Sequence, residues 1–496
     1  MLPAKVSSNY VFEEIYGVHP AECTDLDILC VGAGVGLAAM PYLCELAQRE
    51  LRRQPRIAVV EAGRFDLACH MAHTGMPRRP VLDRGTGRVG GKLTNWGMSA
   101  PRPPEYCLRQ WPYSYADLMH RFEALEDEMG VSDPVPLSGL HLEQTVRERL
   151  EACFPDMTVR PAPLAINRDG HRWCPLTFVP DLVRQGVRLL PGFHCDRILT
   201  TKGGSVSGVQ GTWHDGSAWT LRARTVILAV GADVLLPLLR AEDHWDLKVE
   251  PSDHIRIDAH GSLPSGHFGD QAAERLGIAV LLVEGRSRGV GAPFHLEVKL
   301  APRELWTRGY MTSHDNLRGG VGDELWVQVQ AVAAMHDRFP QVDLLNVTQS
   351  ISPVMSRRDA DFHGELVTLM RQTAEAIGIP EPTFAFRPLL TNHHTYGLLR
   401  VGKTVSSDFK LDGFDNLYIF PPAAYVDHDD DANPVLKSRV LAQYAVEAIV
   451  AGFQSTALST ASDSRAFTRS ARRHFARNPG RHARQADLQR HPTFAR

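Results

Sequence analysis

The segment that most constrains this chain lies near its start. Residues 27–31 read DILCV, an apolar run of strand length, and pass directly into Gly32-Ala-Gly34-Val-Gly36. A helical stretch continues through Arg49, and a second strand-like run, RIAVVE (56–61), ends in Glu61. Strand, glycine turn, helix and strand, with an acid 27 residues beyond Gly34, is the layout that holds a dinucleotide. In that layout Gly32 makes the tight turn, Gly34 lets the backbone approach a pyrophosphate, and the helix N-terminus offers free N–H groups to the phosphates. Glu61 would accept hydrogen bonds from the adenosine ribose. One departure is plain: the third glycine of the pattern falls on Leu37, and Gly36 comes one place early. The segment does not separate NAD from FAD, and a buried strand–helix pair without a ligand satisfies the same pattern.

The totals narrow the classes. A chain of 496 residues has room for two or three ordinary domains or two interleaved ones, and its net charge of -3 does not point to a nucleic-acid partner. Its eight cysteines include no CxxC pair and all lie within the first 195 residues, which suits a reducing cytoplasm rather than a disulfide framework. The N-terminal MLPAKVSSNYVFEEIYG lacks the basic start and apolar core of a signal peptide. No apolar run reaches the roughly 20 residues that span a bilayer, so no membrane is expected. From Arg465 onward arginine recurs at 469, 472, 473, 477, 481, 484, 490 and 496, so 456–496 reads as a basic, solvated tail.

Two further regions carry patterns. In the middle, IRIDAHG (255–261), IAVLLVEG (278–285), FHLEVKLA (294–301) and ELWVQVQAVAAM (324–335) are strand-like, and alternation in the last three predicts a largely antiparallel sheet. Near the C-terminus stands AAYVDHDDDANPVLKS (423–438). Asn433 at an N-cap and Pro434 at the first helical position predict a helix over 434–451. Asp427, Asp429, Asp430 and Asp431 crowd ahead of it. Two readings stay open for them: a solvated acidic turn at a helix start, or a carboxylate-lined mouth that grips a cationic substrate. A calcium loop would make the chain a metal-binding or interaction protein. That pattern needs Gly at the sixth place and Glu at the twelfth, where this chain has Ala432 and Ser438. No metal is expected.

Three blocks together carry a family resemblance. They are RVGGKLTNWGMSAPRPP (88–104) with WPYSYADLMHRFEALEDEMGV (111–131), then HTYGLLRVG (394–402), and SDFKLDGFDNLYIFPPAAY (407–425) closing in Ala432-Asn433-Pro434. The chain resembles the glucose–methanol–choline family of FAD-dependent oxidoreductases, in the branch of pyranose oxidase and bacterial sugar dehydrogenases. The resemblance covers roughly 25–131, 180–245 and 387–452, and the middle matches poorly. It implies a mixed α/β fold: a Rossmann-like FAD-binding domain over 25–110, 180–245 and 387–455, interleaved with a substrate domain over 111–179 and 246–386.

The resemblance also implies roles. Gly90 and Gly91 would pass close to the flavin, and Thr94, Asn95 and Trp96 would lie beside its ring. Relatives with a covalent flavin bond carry a histidine where Asn95 stands, so non-covalent FAD is expected. The late strand RTVILAVGA, with Gly231 near its end, would return to the nucleotide sheet, and the Cys195 backbone would contact adenine. The helix opening at Pro434 would point its positive end at the flavin. His394 matches the active-site histidine and Asn433 its partner. A histidine suits removal of an alcohol proton because its ordinary pKa of about 6.5 lies near working pH. Hydride would then pass to flavin N5. His393 is left as a supporting residue, and Gln328, Gln330, Trp326 and His295 are candidate wall residues. The expected substrate is a sugar or cyclitol, aminated if the four aspartates grip it, with oxygen or another acceptor reoxidising the flavin. A lyase that keeps FAD as a structural part, and an NAD(P)-linked dehydrogenase using the front motif alone, are the rival enzyme readings.

Overall fold

In the computed structural model, residues 16–51, 53–64, 88–94, 96, 98–132, 140–166, 173–201, 204–231, 234–235, 238–239, 248–249, 254–264, 266–269, 279–302, 324–334, 342–343, 356–386, 398–426 and 434–454 are described. The nucleotide layout supplies β1 (Leu26–Val31), α1 (Val35–Leu51) and β2 (Ile57–Glu61). The chain continues through α2 (Tyr115–Met129), α3 (Leu140–Cys153) and β3 (Thr158–Pro161). Then follow β4 (Arg188–Pro191), β5 (His194–Thr200), β6 (Val206–Thr212) and β7 (Ala218–Leu228). The middle supplies β8 (His254–Pro264), β9 (Ala279–Arg286), β10 (Pro293–Pro302) and β11 (Glu324–Ala334). The described part closes with α4 (Arg357–Ala376), β12 (Thr383–Phe386), β13 (Leu417–Ile419) and a C-terminal helix, α5, over 434–454.

Two sheets organise these elements. The first has seven strands in the order β4-β2-β1-β7-β6-β5, with β13 also paired to β7. The ladders joining β4, β2, β1, β7 and β13 are parallel. A parallel sheet is covered on both faces, so β1 is buried at every position and, apart from the paired Asp27, reads as an apolar run. β7 serves two ladders: residues 218–222 pair antiparallel with β6, and 223–228 pair parallel with β1. Asn416 braces this junction from just before β13. Its Oδ1 accepts from Val206 N at 2.8 Å, and its Nδ2 donates to the carbonyls of Val206 and Arg224 at 2.7 and 2.6 Å. Helices α1, α2 and α5 pack into the same core through Leu37, Met40, Leu118, Phe122, Leu436 and Val440.

The second sheet has six strands in the order β12-β8-β11-β10-β9-β3, all antiparallel. The mixed α/β fold and the antiparallel middle therefore stand as the sequence predicts. Alternate residues make one apolar face, with Ile257, Val329, Leu296 and Leu281 burying in one core with Leu142 and Val146 of α3 and Phe362 and Leu366 of α4. The opposite face is polar. Across β8, β11 and β10 it runs in rows: His260–Gln328–Lys299, then Asp258–Gln330–Glu297. All six of these side chains are buried. Among the described residues, no helix is long and apolar enough to cross a membrane.

Candidate functional site

The glycine turn forms as the sequence layout requires. Gly32 follows β1 with φ +102°, a region that L side chains rarely adopt, and an added Cβ would lie 2.5 Å from the Ala229 carbonyl oxygen. The bond that opens α1 runs from Ala38 N to Gly34 O at 3.1 Å, so the N–H groups of residues 34–37 precede the helical ladder. An added Cβ at Gly34 would meet only the Gly91 Cα, at 3.8 Å, which leaves its backbone open to a ligand.

Gly36 resolves the irregular spacing. A Cβ there would lie 2.5 Å from Cys30 Sγ and 2.9 Å from Ala229 Cβ. Gly36 thus lets α1 settle closely onto β1 and the end of β7, which is the work expected of the third glycine. Leu37, where the pattern places that glycine, is instead fully buried in the core. The early glycine is a change of register, not a loss of the packing device.

Glu61 ends β2 beside the turn. Its Oε2 accepts from Ala33 N at 2.9 Å and its Oε1 from Gly63 N at 3.1 Å. Burial pushes its carboxyl up to about 7, against the pull of the backbone donors at Ala33, Gly63 and Ala62. These bonds leave further lone pairs on the carboxylate, so it can hold the turn and still accept from ribose hydroxyls. The N–H groups of Gly192 and Phe193, between β4 and β5, donate to the Gly63 and Glu61 carbonyls at 3.0 and 2.9 Å. Cys195, two residues on, lies in β5 opposite Gly211, with its thiol buried.

Residues 88–100, described except at 95 and 97, connect this turn to the sheet wall. Gly90 N donates to Ala33 O at 2.9 Å, and a Cβ on Gly91 would come within 3.0 Å of the Gly34 Cα. The two glycine segments therefore meet backbone to backbone. Thr94 is fully buried and donates through Oγ1 to Gly91 O at 2.9 Å, closing a single 3-10 turn over Gly91–Thr94. Trp96 donates its indole N–H to Trp173 O at 3.2 Å and meets that ring edge-on at 6.1 Å between centroids. Met98 then packs with Val280, Leu282, Ala301 and Trp326 on the polar side of the second sheet. One strip of chain thus touches the nucleotide turn at one end and the sheet wall at the other.

The polar face of the wall carries a connected network. Asp258 Oδ1 accepts from Gln330 Nε2 at 3.0 Å and from Gln328 Nε2 at 3.3 Å, with Arg256 at 3.5 Å. Lys299 pairs with Glu297 and donates to Gln330 Oε1 at 3.5 Å. Burial would raise the Glu297 carboxyl, yet the Lys299 ammonium and neighbouring groups hold it below its ordinary value. Gln328, Gln330, Trp326 and His295, the wall candidates of the sequence, all stand on this face by register. Sequence reasoning misses Arg256, Asp258, Glu297 and Lys299, although the polar half of the alternation in HIRIDAHG and FHLEVKLA is their signal.

Sequence reasoning misses Arg439 as well. It lies in α5, buried, and its Nη2 donates to Glu128 at 2.8 and 3.1 Å and to the Ala38 carbonyl of α1 at 3.4 Å. Its guanidinium stacks over Trp173 at 4.6 Å, behind Trp96. α5 begins at Pro434, as the helix-start signal predicts. The Gly231 carbonyl, after β7, accepts from Leu235 N at 2.8 Å. Asn95, His393, His394, Asp427, Asp429, Asp430, Asp431 and Asn433 lie outside the described residues.

No protein-family model matches the chain, and no curated protein matches it in sequence. Solved structures do match in fold. A formate oxidase of Aspergillus oryzae, solved to follow modification of its FAD, superposes with a TM-score of 0.54 at 13% identity over 87% of this chain and 99% of its own. A second formate oxidase structure gives a TM-score of 0.53 at 13% identity, with 87% and 99% covered. At this identity the likeness establishes the fold.

Proposed function

We propose that this chain is an FAD-dependent oxidoreductase of the glucose–methanol–choline type that oxidises an alcohol group on a polyhydroxylated, aminated sugar or cyclitol. The observation that carries the reading is the strip 88–100, which ties a nucleotide cradle to a buried polar wall. The cradle fits FAD: Gly34 is open to a pyrophosphate, residues 34–37 present N–H groups ahead of the helical ladder, and Glu61 keeps acceptor capacity for ribose. A fold shared with an FAD-containing formate oxidase over 99% of that chain supports the choice of FAD over NAD. Bound FAD supplies a two-electron acceptor that no side chain offers.

The chain's own residues do the rest. In this reading His394 takes the proton of the substrate hydroxyl, and Asn433 holds the same oxygen through its amide. The N-terminus of α5, opening at Pro434, favours negative charge on the reduced cofactor. The buried donors and acceptors of the sheet wall suit a substrate with many hydroxyls rather than an apolar alcohol. Asp427, Asp429, Asp430 and Asp431, just before α5 in sequence, supply the charge that would attract ammonium groups. With Asn95 where covalent relatives have histidine, the FAD is held without a covalent bond, and the enzyme works in the cytoplasm.

Spectroscopy tests this reading. Purified protein should show oxidised-flavin absorbance that acid precipitation releases into solution. Under anaerobic conditions that absorbance should bleach with one or more members of a panel of neutral sugars, amino sugars and aminoglycosides. A colourless protein that takes up no FAD overturns the reading. A bound flavin that stays oxidised while substrate is consumed replaces it with the lyase reading.

A further inference from the structure

Two atoms of the wall network, Arg256 Nε and Gln328 Oε1, lack a hydrogen-bond partner among the described residues, and Gln328 Oε1 is the acceptor of the two. Gln328 is 1% exposed. A buried amide carbonyl left unpaired costs roughly 1–3 kcal/mol, so such atoms call for an explanation. The neighbours show why this one cannot satisfy itself. The Gln328 amide is held by donation from Nε2 to Asp258 Oδ1 at 3.3 Å. Rotating the amide by half a turn would set its oxygen against that carboxylate. Gln330, one pair along the same face, differs in just this respect: its Nε2 also donates to Asp258, but its Oε1 accepts from Lys299. Charged groups therefore fix both amide orientations, and of the two carbonyls only that of Gln328 is left over.

Its position gives it a use. Gln328 stands between His260 and Lys299 across the sheet, on the face where Trp326 packs against the apolar cluster that holds Met98 of the strip that leaves the glycine turn. On this face Arg256 and Lys299 already balance Asp258 and Glu297, so an added cation would be an uncompensated buried charge. The missing partner is thus a neutral donor.

We propose that the side-chain carbonyl of Gln328, oriented by Asp258, is a specificity-determining acceptor for a neutral hydroxyl of a polyhydroxylated substrate. The inference rests on the reading of this face as the substrate wall. It separates two jobs: the wall reads a hydroxyl, and any amine of the substrate is held elsewhere. Asp258 is a positioning residue that acts through the Gln328 amide.

Calorimetric titration of the flavin-loaded protein with D-glucose, myo-inositol and D-glucosamine comes first, followed by titration of Gln328→Met with whichever of the three binds most tightly. Losing the partner of a bound hydroxyl should weaken that probe about tenfold or more. Thr368→Ala, which removes an exposed hydroxyl bonded to Gly364 O within α4, should stay within about threefold. Ligand-free thermal midpoints supply the readout that a structural role would move differently. Gln328→Met gives up one bond to Asp258 but removes an unpaired carbonyl, so its midpoint should stay near that of the parent, while Gln330→Met, which breaks two bonds, should fall. If Gln328→Met yields no soluble protein, Gln328→Leu takes its place with the same expectations. Unchanged affinity in the Gln328 variant, or binding of none of the three probes, overturns the proposal. The redox reading fails separately. A flavin that stays oxidised while Gln328→Met weakens binding leaves the acceptor in place, and a flavin that bleaches with affinity unchanged removes the acceptor alone.

Discussion

Gly36→Ala puts the packing of α1 to the test. Two effects oppose each other. Replacing Gly by Ala in a helix favours folding by about 0.8–1 kcal/mol. Against this, the new methyl would lie 2.5 Å from Cys30 Sγ and 2.9 Å from Ala229 Cβ. Carbon contacts settle at about 3.5–4.0 Å, so something must move by roughly 1 Å. Neither neighbour can yield by turning: Cys30 is fully buried and Ala229 has no rotamers. The helix must shift as a body, and overpacking of this kind costs about 1–3 kcal/mol. Contacts of 2.5 and 2.9 Å place the cost in the upper half of that range, about 2–3 kcal/mol, so sterics should win with a net loss of roughly 1–2 kcal/mol. Urea unfolding of the FAD-free protein reads this as a lower midpoint at unchanged slope. A cycle with Cys30→Ala locates the cause, because removing Sγ should recover about half of the loss while Ala229 accounts for the remainder. A Gly36→Ala protein as stable as its parent, or a cycle with no coupling, would refute the close approach of α1 to β1.

Three further outcomes follow from the geometry. Glu61 sits near 7 in the folded chain, above its ordinary 4.5, so its contribution to stability is full in acid and is lost as pH rises through about 7. The FAD-free parent should therefore lose thermal stability relative to Glu61→Gln between about pH 4.5 and 7, which melts across that range will show. Asp27 has the opposite sign. Burial opposes its ionisation, but Arg53 at 2.9 Å and the Arg56 N–H at 2.9 Å hold it below its ordinary value. Its contribution is present above about pH 4 and disappears in acid, so Asp27→Asn should flatten the acid limb of a pH–stability profile. Asn416→Ala breaks three hydrogen bonds at the β6–β7–β13 junction and should cost about 2–3 kcal/mol in urea unfolding.

Local patterns are readable where local chemistry decides the structure. DILCV, the glycine turn and RIAVVE form β1, the turn and β2 because a buried parallel strand demands an apolar run, interrupted in β1 only by the paired Asp27. The four middle runs form β8 to β11, with every end within one residue of its expected place except the proline end of β8. Sequence does not show who faces whom. The row His260–Gln328–Lys299 joins residues far apart in the chain, and its meaning appears only once the ladders are set. The use of Gly36 is hidden for the same reason, since it depends on Cys30 and Ala229 lying beneath it. Arg439 gives no signal because a cation in an apolar helix reads as a surface residue until Glu128 and Trp173 are seen around it.

The strip from Gly91 to Met98 is a ruler. Its zero mark is the close approach of Gly91 to Gly34, and its far mark is Met98 in the apolar cluster that Trp326 packs against. One residue advances the chain by about 2 Å in a 3-10 turn and by about 3.3 Å when extended. Adding or deleting one residue between these marks would displace the wall from the cradle by one such step, or twist the strip until Trp96 left Trp173. The spacing between the two ends cannot change by a single residue without moving whatever the wall holds away from whatever the cradle holds.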